Sequence, residues 1–301
     1  KNEYYWGKDN ISLEKITYRF FDDTQSMAAA YETGEVDVAT ALPSSVMELY
    51  DGKEDLFVTD QIATRYIYFN LNVKPFDDVR VREAFNLAVD REELCKIVGE
   101  DTEPTYNLVA KYMKDKNTGK YFTEEAEQPF EENIERAQKL LAEAGYPEGK
   151  GFPELTYSYP SLELDSDTAQ VIREQLKKNL NIEIKLNAQE LQTNYSNFDL
   201  CRMNWTADFS DPYTYLSMLL SDSTYNCSGI KNEQYDELVR RSDSETDPVK
   251  RSALMHEAEQ LAVGEQFYIL PLYAMKSVNL VNPKIEGIRQ IPASGALEYR
   301  Y

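Results

Sequence analysis

An α/β fold is the class that this sequence predicts, because strand patterns alternate with helical patterns along the chain. Residues 16–21 alternate loosely as a strand, and residues 24–33 have the apolar spacing of a helix. Gly34 ends that helix, and residues 36–39 form a further short strand. Strand, helix and strand in this order are typical of a βαβ unit in an α/β protein.

A second unit of the same kind follows later in the chain. A helical pattern at residues 167–179 lies between strand patterns at residues 155–159 and 182–186. Between the two units, residues 64–72 are aromatic and β-branched on both faces, which is typical of a central strand. The sequence therefore predicts a sheet flanked by helices.

The helices are placed by capping residues and apolar stripes. Asp78 precedes a helical stripe, and Asp90 with Glu93 has the D-x-x-E spacing of a capping box. Residues 99–129 lack a clear period and predict a long surface excursion. The remaining pattern predicts helices at 133–144, 213–220, 235–241 and from 248, a strand at 267–273, and a strand-like tail at 278–301.

The charge balance bounds the choice of partner. The 301 residues include 32 basic and 53 acidic side chains, a formal net charge of −21. Such a chain repels a phosphate backbone, so nucleic acid is excluded as the expected partner. A chain of this length is expected to form one large core or two smaller ones.

The sequence has no stretch that predicts a membrane span or a leader. It lacks an apolar run of about 18 residues, and its start is not basic and then apolar. The opening KNEYYWGKDN resembles the interior of a longer protein. The start of this sequence therefore says nothing about compartment.

Nucleophilic side chains do not form a recognisable catalytic set. The one histidine, His256, lies within a helical pattern, where a satisfied or solvent-facing role is expected, and no G-x-S-x-G accompanies it. Cys95, Cys201 and Cys227 have no C-x-x-C spacing. One disulfide is possible among them, but we expect all three to be free and buried.

Other enzyme motifs are absent or weak. The sequence has neither G-x-G-x-x-G nor G-x-x-x-x-G-K, so no nucleotide cofactor is predicted. The acidic run ELDSD at 163–167 lacks the glycine and the closing glutamate of a calcium loop, so no metal is predicted. Asp208 and Asp211 remain as a carboxylate pair that could act as acid and base on a glycoside.

The stretch FDLCRMNWTADFSDP at 198–212 carries the most informative chemistry. Arg202 offers a fork for a carboxylate, Trp205 an apolar face, and Asp208 an acceptor for an ammonium. Together these suit an amphipathic zwitterion such as a peptide. In the alternative interpretation, Trp205 is a half-buried core aromatic, and Asp208 and Asp211 are turn or capping residues.

Six motifs in order resemble one known family across nearly the whole chain. They are YYW at 4–6, AAAYETGEVDVAT at 28–40, PFDDVRVREAFNLAVDREEL at 75–94, AQKLLAEAGYP at 137–147, FDLCRMNWTADFSDP, and AEQLAVGEQFYILPLY at 258–273. The chain resembles the extracellular solute-binding proteins of peptide-type ABC transporters, the oligopeptide-binding group of solute-binding family 5.

This resemblance implies a two-lobed, periplasmic-binding-protein-like type II fold, with a mixed sheet flanked by helices. Family members are longer, so the N-terminal portion of the full protein is expected to be missing. Residues 1–62 would be part of lobe one, 63–270 the complete lobe two, and 271–301 the return to lobe one. Strand crossings near Tyr66 and at 267–273 would form the hinge.

The resemblance also assigns roles to individual residues. Asp208 matches the aspartate that accepts a peptide α-amino group, and Trp205 matches the tryptophan beside it. Arg202 matches an arginine that meets the carboxylate of some peptide lengths, and Tyr66 falls where a ligand-facing aromatic is often placed. These four residues are the predicted ligand-binding set.

The chain departs from its relatives at three positions. Where some relatives carry a disulfide, this chain has Ala63 and Thr206, so the contact is expected to persist without the bond. Where some place a second basic residue, it has Thr193. That last departure leaves open how a ligand's carboxyl end is held.

The function implied is the substrate-binding component of a peptide ABC importer. Its partners would be a short peptide and a membrane permease, and it would be a monomer without cofactor, metal or enzymatic activity. It would lie outside the cytoplasm, in the periplasm or as a cell-surface lipoprotein. The alternatives are a binder of a nickel chelate, an opine or an oligosaccharide on the same scaffold, and a carboxylate-dependent glycoside hydrolase.

Overall fold

One mixed sheet organises the chain. The computed structural model describes residues 2–42, 44–99, 101–115, 118–190, 198–290 and 297–299. The seven strands of this sheet are β1 (Val38–Ala39), β2 (Leu56–Phe69), β3 (Thr102–Pro104), β4 (Leu155–Pro160), β5 (Ile184–Gln189), β6 (Leu200–Thr206) and β7 (Ile269–Val281). A separate antiparallel pair joins β8 (Ile288–Gln290) to β9 (Leu297–Tyr299).

The strand order is β1-β7-β2-β6-β4-β5, with β3 also paired to β7. Strand β4 runs parallel to β5 and β6, whereas β2 is antiparallel to both of its neighbours, β6 and β7. The predicted central strand at 64–72 is confirmed as part of β2, and the second predicted βαβ unit is confirmed as a parallel pair.

The helices pack around this sheet. They are α1 (Thr24–Glu32), α2 (Ser44–Tyr50), α3 (Val79–Ala88), α4 (Arg91–Val98), α5 (Ile134–Glu143), α6 (Glu163–Leu180), α7 (Tyr213–Leu216), α8 (Glu233–Ser244) and α9 (Pro248–Glu259). Helices α3, α4 and α5 begin directly after the predicted caps Asp78, Asp90 and Asn133. The Asp78 carboxylate accepts from Arg80 N at the start of α3. Across the described ranges, each helix is too short or too polar to cross a bilayer.

The predicted capping box at α4 is shared with a neighbouring helix. Asp90 accepts a hydrogen bond from Glu93 N, as the motif requires. In a complete capping box, Asp90 N would donate to the Glu93 side chain. Here Asp90 N donates instead to Gln175 Oε1 on α6. Gln175 Nε2 in turn donates to Glu93 Oε2. The cap therefore also joins α4 to α6.

The first predicted βαβ unit is wrong. Residues 16–21 form no strand, and Tyr18 and Phe20 are 68% and 96% exposed. Strand β1 pairs antiparallel with the end of β7. An alternating sequence becomes a strand only where another strand completes its hydrogen bonds, and the described residues offer residues 16–21 none.

The predicted surface excursion at 99–129 is also wrong over much of its described length. Leu108, Val109 and Phe122 are at most 1% exposed and belong to the core. Glu259 Oε1 accepts from Leu108 N and Val109 N at 2.6 and 3.0 Å, which ties the irregular chain to α9. Residues without a helical or strand period can therefore still be buried when their backbone groups find partners.

Two apolar clusters lie along the sheet. The large cluster joins buried side chains between Ile62 and Tyr273. The small cluster consists of Tyr31, Ala39, Leu42, Val46, Tyr50, Val278 and Leu280. Strands β2 and β7 run through both, and their pairing register shifts between Asp60 and Thr64. The division into lobes at residues 62 and 270 stays a prediction, as does the hinge.

The cysteines are free, as expected. Cys95 and Cys201 are buried, whereas Cys227 is only half-buried. Burial raises the pKa of the Cys95 thiol to about 11 and that of Cys201 to about 12. Neither buried thiol is therefore a nucleophile at neutral pH.

Candidate functional site

Strand β6 presents the predicted residues on opposite sides of the sheet. Its register with β2 is unbroken from Ala63 opposite Thr206 to Phe69 opposite Leu200. Because side chains alternate between faces along a strand, Arg202 and Trp205 point to opposite faces. The structure therefore does not place these two side chains beside one ligand on a single face of β6.

Trp205 is half-buried against the large cluster, and its ring has a hydrogen-bond partner and an aromatic neighbour. Its Nε1 donates to Thr214 Oγ1 at 3.2 Å. The Tyr225 ring meets it edge-on, with centroids 4.7 Å apart and planes at 71°. Tyr225 itself is 54% exposed. Trp205 is therefore a positioned aromatic at the boundary between core and solvent.

Asp208 lies in the loop between β6 and α7, and its side chain is exposed. Its backbone N–H donates to Thr214 Oγ1 at 3.4 Å, the same hydroxyl that receives Trp205 Nε1. Thr214 is 2% exposed, so a buried hydroxyl joins the two predicted ligand residues. Within the described part of the chain, the Asp208 carboxylate makes no hydrogen bond or ion pair.

Asp211, three residues further on, has a different environment. Arg251 binds its carboxylate through two nitrogens, at 2.8 and 3.0 Å. Asp211 Oδ1 also accepts from Tyr213 N at the start of α7. This fork-to-fork ion pair occupies both carboxylate oxygens of Asp211. The turn-and-cap interpretation of Asp211 is confirmed by these contacts.

On the other face of β6, Arg202 is already bound to an acid. Its Nε donates to Asp165 Oδ1 at 2.6 Å, and Arg65 Nη1 lies 3.3 Å from the same oxygen. The Asp165 side chain is 1% exposed, and its Oδ2 has no hydrogen-bond partner among the described residues. Burial raises the pKa of Asp165 to about 6, while Arg65 acts in the opposite direction.

Tyr66 is a core residue. It is completely buried, its ring centroid lies 5.2 Å from that of Tyr68, and burial raises its pKa well above the usual value. The prediction that Tyr66 faces the ligand is at odds with this burial, because Tyr66 itself belongs to the large cluster. Thr193 falls outside the described residues.

A cavity of about 330 Å³ lies elsewhere, between α9 and the irregular chain before α5. His256 lines it and stacks on Phe122 at 3.9 Å, with its Nε2 buried and without a partner among the described residues. The expectation that His256 is satisfied or solvent-facing is therefore wrong. Among the described side chains, no group of three or more His, Cys, Asp or Glu is placed to hold a metal ion.

Sequence reasoning missed Thr214, Tyr225, Asp165 and Arg65. Asp165 carried a usable signal, because it follows β4 at the carboxyl end of a parallel strand, where α/β proteins tend to place ligand sites. The helix was predicted to begin only at residue 167, whereas α6 begins at Glu163. Thr214 and Tyr225 carried no signal that distinguishes them from other residues of their type.

Comparison with a family model gives a match over most of the chain. The model describes the bacterial extracellular solute-binding proteins, family 5 (middle), and matches residues 1–227. The chain is 28% identical to the dipeptide-binding protein DppE of Bacillus subtilis over 299 residues, 97% of this chain and 54% of DppE. It is 29% identical to the periplasmic murein peptide-binding protein MppA of Escherichia coli over 299 residues, 95% of this chain and 54% of MppA.

Solved structures give the same fold. A periplasmic oligopeptide-binding protein of Borrelia burgdorferi superposes with a TM-score of 0.79 at 30% identity, over 92% of this chain and 56% of that one. Listeria monocytogenes OppA bound to peptide gives 0.85 at 24% identity, over 100% of this chain and 60% of that one. The chain thus spans little more than half the length of these relatives, and the predicted fold class is confirmed.

Proposed function

Because the chain belongs to family 5 of the bacterial extracellular solute-binding proteins, we propose that it is the peptide-binding component of an ABC importer. It binds short peptides non-covalently between two lobes and passes them to a membrane permease. It acts as a monomer outside the cytoplasm, in the periplasm or held at the cell surface by a lipid anchor. The ligand leaves chemically unchanged.

One observation carries this proposal: an exposed carboxylate, unpaired among the described residues, stands beside a positioned indole. Asp208 and Trp205 share the buried Thr214 hydroxyl as their acceptor, so the loop that carries the acid is tied to the ring. Peptides of varied sequence share their backbone and their termini. A carboxylate that meets the α-ammonium group therefore serves many of them, with a contribution of about 1.5 to 3 kcal/mol for a charge-assisted hydrogen bond.

Three relatives support peptide as the ligand class. DppE is named as a dipeptide-binding protein, MppA as a murein peptide-binding protein, and the Listeria structure contains a peptide. The name of MppA also includes the word periplasmic, which supports a location outside the cytoplasm. The nickel-chelate, opine and oligosaccharide alternatives have no comparable observation in their favour.

The test is calorimetric titration of the full-length natural protein with a tripeptide and with its N-acetylated form. We expect the free peptide to bind about tenfold tighter or more, because acetylation removes the ammonium group that Asp208 would accept. In Asp208→Asn this difference should disappear. Equal affinities in the wild type would contradict the role of Asp208. Mass spectrometry of ligand that co-purifies with the protein tests the peptide class itself.

The glycoside hydrolase alternative is tested separately. It requires Asp208 and Asp211 to act as a pair, and the forked contact of Asp211 with Arg251 counts against a proton-transfer role. We therefore propose that the protein is not an enzyme. Turnover of chromogenic glycosides that vanishes in Asp208→Asn would overturn this.

A further inference from the structure

The cavity between α9 and the irregular chain before α5 contains two buried polar atoms. Glu259 Oε2 and His256 Nε2 have no hydrogen-bond partner among the described residues. Both side chains line the cavity, and they lie three residues apart on α9, which places them on one face of the helix. Glu259 is 3% exposed. A buried polar atom without a partner costs stability, so a ligand that bonds to both atoms would be favoured here.

The structural role of Glu259 accounts for one of its two oxygens. Oε1 accepts from Leu108 N and Val109 N, which holds the irregular chain against α9. Burial raises the pKa of this carboxyl to about 7, although these two N–H groups and the nearby Asn107 side chain act in the opposite direction. A glutamine could accept the same two bonds without the cost of a buried acid. The second oxygen and the charge therefore point to a further role.

The lining of the cavity favours a positive charge. Glu127 and Glu257 also line it and are exposed, so the cavity reaches solvent beside acidic side chains. None of the described residues that line it is a lysine or an arginine, so an anion would meet only repulsion from charged groups. The described side chains also offer no group that could hold a metal ion. The lining therefore favours an organic cation.

The chemistry of the two unpaired atoms narrows the kind of cation. Burial lowers the pKa of His256 below its usual value, although Glu125 and Asp115 act in the opposite direction. The ring is therefore neutral at pH 7 and can offer Nε2 as an acceptor. An ammonium group has three N–H donors and no acceptor, which matches a carboxylate oxygen and an imidazole nitrogen.

The size of the cavity and the apolar part of its lining limit the rest of the ligand. Phe122, Ala126 and Pro129 contribute the apolar part. The volume of about 330 Å³ has room for a molecule of only a few heavy atoms. A short aliphatic stem suits both the space and these side chains.

The backbone beside the cavity is also unusual. Residues Gln260–Glu265 continue α9 as a π-helix, a conformation that is rare and frequently found at functional sites. Gly264 in this segment lets the facing chain approach closely, because a Cβ there would lie 2.9 Å from Pro129 O. Since Gln260 and Pro129 both line the cavity, the π-helix helps to shape it.

We propose that this cavity binds a small organic cation, a protonated primary amine on a short aliphatic stem, whose ammonium group bonds to Glu259 Oε2 and His256 Nε2. The stem lies against the apolar part of the lining. The site is separate from the proposed peptide site, because neither Asp208 nor Trp205 lines the cavity. The inference therefore does not rest on the proposed function.

The first experiment is calorimetric titration of the full-length natural protein at pH 8 with n-butylamine and with butan-1-ol, which has a similar shape but no charge. We expect the amine to bind with a dissociation constant of about 1 mM or below. It should bind at least about tenfold tighter than the alcohol, because its hydrogen bonds to Glu259 are charge-assisted. Equal affinities, or no binding of the amine at about 10 mM, would overturn the proposal.

The second experiment removes the charge and keeps the structural bonds. Glu259→Gln retains an acceptor for Leu108 N and Val109 N, and we expect it to bind n-butylamine about tenfold more weakly or worse. Glu265→Gln makes the same charge change at an exposed residue outside the lining and should bind as the wild type does. Wild-type affinity in a folded Glu259→Gln protein would contradict the proposal.

A second variant decides the matter if Glu259→Gln does not fold. His256→Phe keeps an aromatic ring against Phe122 but has no Nε2, so one bond to the ammonium group is lost. We expect the affinity for n-butylamine to fall about threefold to tenfold. An unchanged affinity in this variant would remove His256 from the site and contradict the proposal.

The pH dependence of amine binding gives an independent measurement. The titratable groups around Glu259 are His256, Tyr215, Tyr235, Glu127 and Glu257. Burial raises the pKa of both tyrosines, so they stay neutral near pH 7. With a pKa of about 7, Glu259 is about one-tenth ionised at pH 6 and about nine-tenths at pH 8. An aliphatic amine stays protonated throughout, as a lysine does.

The affinity for n-butylamine should therefore rise about tenfold from pH 6 to pH 8 in the wild type. In Glu259→Gln it should change by less than about twofold, because the titrating carboxyl is gone. A wild-type affinity that does not change with pH would assign the binding to another group and overturn the proposal.

The two proposals fail in different measurements. Asp208→Asn should bind n-butylamine as the wild type does, whereas the amine-binding variant Glu259→Gln should bind a tripeptide as the wild type does. Loss of amine binding in Asp208→Asn would place the amine at Asp208 and overturn the cavity proposal. A wild-type protein that does not distinguish a tripeptide from its N-acetylated form would contradict the role of Asp208 alone.

Discussion

Asp208 and Asp165 are two carboxylates near strand β6 that the fold treats in opposite ways. Asp208 is exposed and unpaired among the described residues, whereas Asp165 is buried and bound by Arg65 and Arg202. Residue type is the same in both cases. An acid near a binding surface can therefore bind a ligand only where no cationic side chain of the protein already pairs with it.

The largest effect is expected where the buried acid is removed. Asp165→Ala leaves two mostly buried guanidinium groups without their carboxylate, so the free energy of unfolding should fall by about 3 kcal/mol. Asp208→Ala removes no pairing and should change it by less than about 0.5 kcal/mol. Urea unfolding of both variants, with Asp167→Ala as control, measures the contrast. Equal losses in Asp165→Ala and Asp208→Ala would abolish the comparison.

Glu259 sharpens the comparison with an acid that is buried without a cation in contact. Its Oε1 accepts from the backbone N–H groups of Leu108 and Val109, and burial raises its pKa to about 7. A folded-state pKa above the unfolded value means that the folded state binds the proton more tightly. Its contribution to the unfolding free energy, about 3 kcal/mol, is therefore full below about pH 4.5 and is lost as pH rises through 7.

Glu259→Gln should accordingly flatten the fall in stability between pH 4.5 and 7. The measurement is urea unfolding at several values across that range, about one pH unit apart. Glu257→Gln, an exposed change on the same helix, is the matched control and should retain the wild-type slope. A Glu259→Gln protein with the wild-type slope would show that this carboxyl does not titrate in the expected range.

The exposed acid should affect binding more than stability. Asp208→Asn should weaken binding of a free tripeptide about tenfold to a hundredfold, since a charge-assisted hydrogen bond to the ammonium group is lost. Its unfolding free energy should stay at the wild-type value. Calorimetry with Asp167→Asn as the control gives the affinity. Wild-type affinity in Asp208→Asn would remove this carboxylate from the binding site.

The smallest effect concerns the hydroxyl behind the site. Thr214→Val keeps the shape of the side chain but leaves Trp205 Nε1 and Asp208 N without their shared acceptor. We expect a loss of affinity of about threefold to tenfold, the size of a neutral hydrogen bond. Thr214→Ser retains the hydroxyl and should bind as the wild type does. A loss in Thr214→Ser as large as in Thr214→Val would assign the effect to packing.

Local signals predicted much of the fold. Asp78, Asp90 and Asn133 begin helices as expected, because a cap is decided by residues within one turn of one another. The prediction of a strand at residues 16–21 failed because a strand depends on a partner strand that is distant in sequence. The prediction of a surface excursion near Leu108 failed because burial of this irregular chain depends on Glu259, 151 residues away.

The site was predictable only in part, for a similar reason. Asp208 and Trp205 could be predicted as ligand-binding residues from their side-chain chemistry and from the family motif, because both lie within a single stretch of sequence. The state of Arg202 depends on Asp165, 37 residues earlier, and on Arg65 from a third element. No pattern along β6 indicates that this arginine is already neutralised.

Ala63 lies directly opposite Thr206, with Ala207 N donating to Ile62 O at 3.0 Å beside them. Main-chain hydrogen bonds join β2 and β6 at this junction, immediately before the Asp208 loop, and neither Ala63 nor Thr206 can form a disulfide. Dithiothreitol or glutathione has no covalent link to cleave there. A reductant should therefore leave the pairing of β2 and β6 at this junction unchanged.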